Sequence, residues 1–256
     1  MNYRFLFIVF FLKIYFFQSQ THDFTFRDLN TSNGLSDDNV NSIVQDKLGQ
    51  IWFATRGGLN KYDGNKFTVY RNIPGNNNTI SSSEVIDVLS DSDGFIWVGT
   101  FNGLNRYDPK TNTFKRFYKR LTTKNSLSHS LIKCSLEIPE GNIWFGTENG
   151  VSVYKKKENR FINFLKRDPK YGYRSINNMV TDHKNNVWLA TNEGIVHVQR
   201  DGGFKIEEHK LTTSKTNFIV NTLLEISPGI IGVASRYNGF FYFKTDTKEL
   251  IRPEGI

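Results

Sequence analysis

The sequence predicts an all-β chain, a β-propeller of four-stranded blades, and three observations carry that expectation. A tryptophan motif recurs about every 45 residues, as Gln50-Ile51-Trp52-Phe53-Ala54-Thr55, Phe95-Ile96-Trp97-Val98-Gly99-Thr100, Asn142-Ile143-Trp144-Phe145-Gly146-Thr147 and Asn186-Val187-Trp188-Leu189-Ala190-Thr191. Short runs of alternating apolar and polar residues surround each copy, and glycine or asparagine turn signals separate the runs. The four tryptophans are 45, 47 and 44 residues apart, and 44 further on Gly232 holds the Trp place in a degraded fifth copy, Ile231-Gly232-Val233-Ala234-Ser235. Four short strands at this period make one propeller blade.

The elements follow in order within each repeat. The first strand is expected at Val40 to Gln45, Val85 to Ser90, Leu131 to Leu136, Ile176 to Thr181 and Phe218 to Leu224, nearest the central channel. A tight turn comes next, with Asp46 and Gly49 or Asp91 and Gly94 at the first and last positions, and Asp182 with Asn185 in the fourth copy. The second strand carries the Trp motif, and the Ala or Gly two places after Trp leaves room for the neighbouring blade. Glycine in the following turn (Gly58, Gly103, Gly150, Gly194) meets a need for positive φ. The third strand is apolar in alternation, from Leu59, Leu104, Val151 and Ile195. The outermost and most charged strand starts at Phe67, Phe114, Phe161, Phe204 and Leu250, as an edge facing water requires.

Before the first repeat, Phe24 to Leu29 reads as one more outer strand. The fifth repeat owns an outer strand at Leu250-Ile251-Arg252, so the early strand has no incomplete blade to join. One outer strand plus five units describes an open arc whose remaining blades are missing. A closed five-bladed ring is the alternative, with the first strand displacing the last. Further upstream, Phe5 to Leu12 and Ile14 to Phe17 form an apolar run behind Arg4, short for a membrane span, with Gln18-Ser19-Gln20 after it. Residues 1–20 are therefore expected to be a signal peptide cleaved near Ser19 or Gln20, and residues 21–256 the propeller; a retained N-terminal anchor is the alternative. No cysteine follows the apolar run, which argues against a lipoprotein.

Composition bounds the chemistry. With 256 residues, 38% hydrophobic and 23% charged, the chain can bury a core and has no low-complexity tract. Its only cysteine, Cys134, excludes an intramolecular disulfide and any multi-cysteine metal site, and reads as a small buried hydrophobe. His22, His129, His183, His197 and His209 recur at no fixed place in the repeat and read as scattered surface or loop residues, so no metal site and no cofactor is expected. The net charge of +8 raises the question of nucleic acid. Lys155-Lys156-Lys157, Lys115-Arg116 and Lys119-Arg120 are spread around the rim instead of lining one groove, so a solvated rim is expected and nucleic acid is not.

Gly34-Leu35-Ser36, Asn39-Val40, Ile43, Gln45-Asp46, Gly49, Ile51 to Thr55, Gly58-Leu59-Asn60, Tyr62-Asp63-Gly64 and Phe67 to Tyr70 resemble the two-component regulator propeller repeat. Gly94 to Thr100 and Gly103 to Asp108 match it again. The resemblance covers essentially everything after residue 23. It implies the periplasmic sensor region of a hybrid two-component system of Bacteroidetes, which detects breakdown products of polysaccharides and controls genes for their uptake. In that family two seven-bladed propellers precede a β-sandwich module, a membrane helix, a histidine kinase, a receiver and a DNA-binding domain. The sequence contains none of the later parts, so the chain is expected to be the N-terminal portion of such a sensor, about five blades of an incomplete seven-bladed propeller. It is not itself an enzyme, and the resemblance implies a dimeric sensor.

A ligand is expected on the face where the turns joining second to third strands meet the connections from outer to inner strands. The variable residues there are Arg56, Phe101, Asn102, Glu148, Asn149, Asn192, Glu193, Arg236, Tyr237 and Asn238. Such a polar set with aromatic rings suits an oligosaccharide, whose hydroxyls take directional hydrogen bonds while its ring faces stack. The competing explanation of each position is turn geometry. Trp52, Trp97, Trp144 and Trp188 recur at one strand position and are expected to pack between blades. Two other functions compete with this reading. A propeller lyase or quinoprotein needs a recurring His and carboxylate constellation or a cofactor-stacking ring, which the sequence does not show. A secreted propeller for interaction or adhesion is set apart from a sensor only by the repeat motif.

Overall fold

The structure, a computed structural model, describes residues 26–167, 174–199, 205–210, 212–213 and 216–253. The expected signal peptide, His22, Phe24, Thr25 and Phe204 lie outside them. Five four-stranded antiparallel sheets follow one another, each with its strands in chain order. Blade I is β1 (Val40–Gln45), β2 (Ile51–Thr55), β3 (Gly58–Tyr62) and β4 (Phe67–Tyr70). Blade II is β5 (Val85–Ser90), β6 (Ile96–Thr100), β7 (Gly103–Asp108) and β8 (Thr113–Phe117). Blade III is β9 (Ile132–Glu137), β10 (Ile143–Thr147), β11 (Gly150–Lys155) and β12 (Arg160–Phe164). Blade IV is β13 (Ile176–Thr181), β14 (Val187–Thr191), β15 (Gly194–Gln199) and β16 (Lys205–Lys210). A small hairpin of β17 (Thr212–Thr213) and β18 (Thr216–Asn217) precedes blade V, which is β19 (Val220–Ser227), β20 (Ile230–Ser235), β21 (Gly239–Lys244) and β22 (Glu249–Ile251). Among the described residues no helix is long and apolar enough to cross a membrane.

One aspartate organises the first turn of most blades. Gly49 N–H donates to the Asp46 carbonyl, while the N–H groups of Leu48 and Gln50 donate to the Asp46 carboxylate. The other oxygen of that carboxylate accepts the Trp52 indole N–H at 2.8 Å. Asp91 does the same for Trp97 at 2.8 Å, and Asp182 for Trp188 at 3.0 Å. A buried indole N–H must be satisfied, and here the turn residue does it. Sequence reasoning placed these aspartates in the turn but missed this second bond; an Asp six residues before Trp52, Trp97 and Trp188 was the available signal. Blade III has Ile138 at that place, buried in its own core cluster.

Each tryptophan fills the gap to the next blade. Trp52 packs with Val85, Val88, Ile96 and Val98 of blade II, Trp97 with Ile132, Ile143 and Phe145 of blade III, Trp144 with Val187 and Leu189 of blade IV, and Trp188 with Val220, Val233 and Phe243 of blade V. The glycines two residues after Trp permit this approach. A Cβ on Gly99 would stand 2.7 Å from Ile132 Cγ2 of blade III, and one on Gly146 2.9 Å from Ile176 Cγ2 of blade IV. Cys134 is buried in β9, and burial pushes its thiol pKa far up, so it is an inert core residue.

Inner strands stand side by side around the axis, β1 beside β5, then β9, β13 and β19. Among the described residues no contact of that extent joins β19 to β1, so the blades form an arc. The fifth blade keeps its own outer strand, since β22 pairs with β21. Residues 26–29 of the expected early strand belong to no strand; Leu29 instead packs with Leu35 on blade I.

Two of the rim cations are not simply solvated. The Lys156 ammonium is 3.3 Å from Asp91, 2.9 Å from Asp93 and 2.7 Å from Glu137, tying blade III to blade II. Arg116 donates to the Thr79, Asn76 and Ile80 carbonyls and pins the loop before β5.

Candidate functional site

In an antiparallel blade the β2–β3 type of turn and the rim-to-axis connection lie at the same end, so both build one face around the channel mouth. A buried polar staple fixes it. The Ser36 N–H donates to Asn60 Oδ1 at 2.9 Å, its hydroxyl meets that of Thr55 at 2.8 Å, and Thr55 donates to the Gly58 carbonyl at 2.9 Å. Ser81, Thr100 and Asn105 repeat it in blade II, and Ser128, Thr147 and Ser152 in blade III. The serine of the Gly34-Leu35-Ser36 motif is thus structural, a role that its constant lead of 19 residues over the threonine could have disclosed.

The residues expected to contact ligand divide on this face. Arg56, Phe101, Asn102, Arg236 and Tyr237 are exposed, Phe101 at 54% and Tyr237 at 73%, with the Arg236 guanidinium 5.5 Å from the Tyr237 ring centre. Glu148 is half-buried, 3.4 Å from the Lys133 ammonium, and accepts from the Ser175 hydroxyl at 3.1 Å. Asn192 Oδ1 accepts from Ser175 N–H, and Asn238 Oδ1 from the Ser235 hydroxyl. Glu193 pairs with Arg167 and, at 3.6 Å, with Arg174. Asn149 is buried and clips the loop that follows β12, donating to the Arg167 carbonyl and accepting from Arg167 N–H. Of the expected set, the exposed five and half-buried Glu148 thus remain accessible on this face.

The inner strands carry polar groups along the channel. Asp87 accepts from the hydroxyls of Ser42 and Ser135 on the two flanking strands, and burial, only partly offset by these bonds, raises its carboxyl above the usual range. Near the mouth Lys133 donates to Ser175 and to Asn177.

The opposite face is formed by the Asp turns and the β3–β4 turns. Clefts open between blades there, one of about 490 Å³ beside Leu48, Phe95 and Pro109, and one of about 300 Å³ beside Asp182, Trp188, His197 and Lys248. The second corrects the expectation of scattered histidines. His197 lies on β15 and His209 on β16; His197 is buried, and His197, Glu207 and His209 come together. Burial lowers both imidazole pKa values, and the Lys248 hydrogen bond holds Glu207 below the ordinary carboxylate range. This constellation lies between blades IV and V, away from the channel mouth.

The repeat pattern described as "Two component regulator propeller" matches residues 34–57 and 79–102. Over 57 residues the chain is 47% identical to histidine kinase P4 of Formosa agariphila, an alignment covering 22% of this chain and 4% of that protein. Among solved structures, the extracellular domain of the putative hybrid two component system BT3049 from B. thetaiotaomicron superposes with a TM-score of 0.56 at 20% identity, over 89% of this chain and 36% of that one. A catalytically inactive virginiamycin B lyase from Staphylococcus aureus, solved with quinupristin, superposes with a TM-score of 0.56 at 20% identity, over 85% and 73%. The chain thus spans only a small part of the kinase it matches and about a third of the hybrid-system domain. An extracellular domain of a hybrid two component system and a lyase share this architecture, so the shape alone decides no activity. Two of the five consecutive four-stranded blades thus carry the two component regulator propeller repeat, at residues 34–57 and 79–102.

Proposed function

We propose that this propeller is the ligand-sensing part of a hybrid two-component sensor, exported to the periplasm, and that its ligand is an oligosaccharide. The observation that carries the reading is the pair of exposed aromatic rings, Phe101 and Tyr237, on the face that also presents Arg56, Asn102, Glu148 and Arg236. Exposed rings offer stacking platforms to the apolar face of a pyranose, and the flanking amide, carboxylate and guanidinium groups suit its hydroxyls. The domain binds and does not catalyse; kinase and receiver functions belong to regions downstream of it in the full-length sensor. Further blades would seat on the two end faces of the arc, where Ile43 and Leu224 are exposed.

Those apolar end faces are also the observation on the side of a second reading, a secreted propeller for interaction or adhesion. A downstream reading frame encoding a membrane helix and a kinase separates the two. The sugar proposal itself is tested by titrating the protein with a panel of oligosaccharides while following thermal unfolding. One glycan should raise the transition, and Phe101→Ala with Tyr237→Ala should abolish that rise without lowering the ligand-free transition. A rise that survives both substitutions would sink the assignment of the site.

A further inference from the structure

Trp188, His197, Glu207 and His209 stand on one face of blade IV, the face turned toward blade V. Trp188 pairs across the sheet with His197, and His197 with Glu207. His209 follows Glu207 by two residues, which in a strand returns to the same side. The His197 imidazole stacks on the Trp188 indole with centroids 4.0 Å apart and planes 9° from parallel. Its side chain is 8% exposed, yet neither ring nitrogen has a hydrogen-bond partner, and Nε2 of His209 has none. Buried polar atoms are almost always satisfied, so three such nitrogens in one place require an explanation.

Glu207 Oε2 lies 3.7 Å from His197 Nδ1 and 4.0 Å from His209 Nε2, and one donor atom from each of the three side chains falls within 4.8 Å of the others. These separations are too long for hydrogen bonds. They approach the spacing of ligands around one ion, since tetrahedral bonds of about 2.0–2.1 Å place donor atoms ~3.3 Å apart. We infer that His197, Glu207 and His209 form a site for a borderline divalent transition metal, zinc(II) foremost, with a fourth position facing the cleft between blades IV and V. Two imidazoles and one carboxylate are a donor set that such an ion accepts.

The surroundings fit this assignment. The Asp182 carboxylate is 4.0 Å from His197 Nε2. At that distance it makes no hydrogen bond, but its negative charge favours the proton on Nε2 and leaves Nδ1, which faces Glu207, to the metal. The Lys248 ammonium, 3.1 Å from Glu207 Oε2, supplies the local positive charge when no metal is bound, and its side chain is exposed enough to swing away. The 300 Å³ cleft gives the ion access. A bound ion would fasten the outer strand β16 to β15. The site is separate from the sugar face, and neither proposal depends on the other.

The test uses the full chain without a polyhistidine tag, stripped with chelator and titrated with zinc(II) alone. Calorimetry should give one equivalent bound and the thermal transition should rise, while cobalt(II) should give the visible absorption of a four-coordinate site. His209→Gln and Glu207→Gln should each weaken zinc binding by about tenfold or more, and Lys248→Ala should tighten it by removing the competing cation. His183→Gln, which deletes an exposed imidazole paired with Glu225, should leave it unchanged. Absence of saturable binding, binding indifferent to His209→Gln and Glu207→Gln, or loss confined to His183→Gln would overturn the assignment. If the ligand variants do not fold, Lys248→Ala decides alone: tighter zinc binding supports the site, and unchanged or weaker binding rejects it.

Discussion

Blades II and V share one strand plan and fill it differently. In blade II, Trp97 is buried against blade III, bonded to Asp91, with Gly99 pressed on Ile132. In blade V the Trp place is Gly232, and a Cβ there would meet Ile226 Cδ1 at 2.8 Å and Phe240 Cζ at 3.1 Å, both of its own blade. That face of blade V packs on no further blade among the described residues, and Leu224 and Ile226 are 65% and 49% exposed. Yet the register is the same: Trp97 pairs with Leu89 and Arg106, and Gly232 with Leu224 and Tyr242. The indole joins one blade to the next, whereas strand pairing and turns set the blade itself.

Four measurements sharpen or break this contrast. Trp97→Ala should cost about 3–5 kcal/mol in denaturant unfolding, the usual loss for a large aromatic in a core; a cost below about 1 kcal/mol would contradict its role between blades. Adding a methyl comes next. Gly146→Ala drives a Cβ onto Cys134 and Ile176 and should cost about 1–3 kcal/mol, whereas Gly232→Ala meets the movable tip of Ile226 and should stay within about 1 kcal/mol. Equal costs would erase the distinction between a closed and an open blade face.

Asp182→Asn should cost about 1 kcal/mol near neutral pH by weakening bonds to a charged acceptor. Burial alone would raise the Asp182 carboxyl, but hydrogen bonds from Trp188, Asn186 and Lys184 outweigh it and hold the group below its ordinary value. Its contribution is therefore present above the unfolded value and lost as pH falls below about 4. Acid unfolding of the Asn variant should lack that component. The smallest effect is expected at the ligand face, where Phe101→Ala and Tyr237→Ala should each change stability by under about 0.5 kcal/mol; a larger change would assign those rings to the fold.

The blade plan was legible because period, turn glycines and tryptophans each mark the same positions. What the sequence hid were interactions whose partners lie one turn or one blade away. Asp46 and Asp91 advertise a turn and also serve an indole. Asn149 reads as an exposed turn amide and is a buried clip. Lys156 reads as part of a charged run and instead joins three carboxylates of two blades. His197 and His209 recur in no other repeat, so periodicity could not collect them; only the pairing of β15 with β16 sets them beside Glu207.

The rim-to-axis connections have a consequence for how such a protein can change over evolutionary time. They leave from outer strands and arrive at inner strands on one face, and the staple of Ser36, Thr55 and Asn60, with its counterparts in blades II and III, holds the arrival point from beneath. Insertions at the exposed stretches of these connections, residues 73–78 and 121–125, lengthen a loop already in water and leave buried Ile80 and Leu127 in place, at an entropic cost that grows only slowly with length. Novelty in recognition and conservation of the scaffold are thus assigned to different residues of the same repeat, and one can vary while the other stands still.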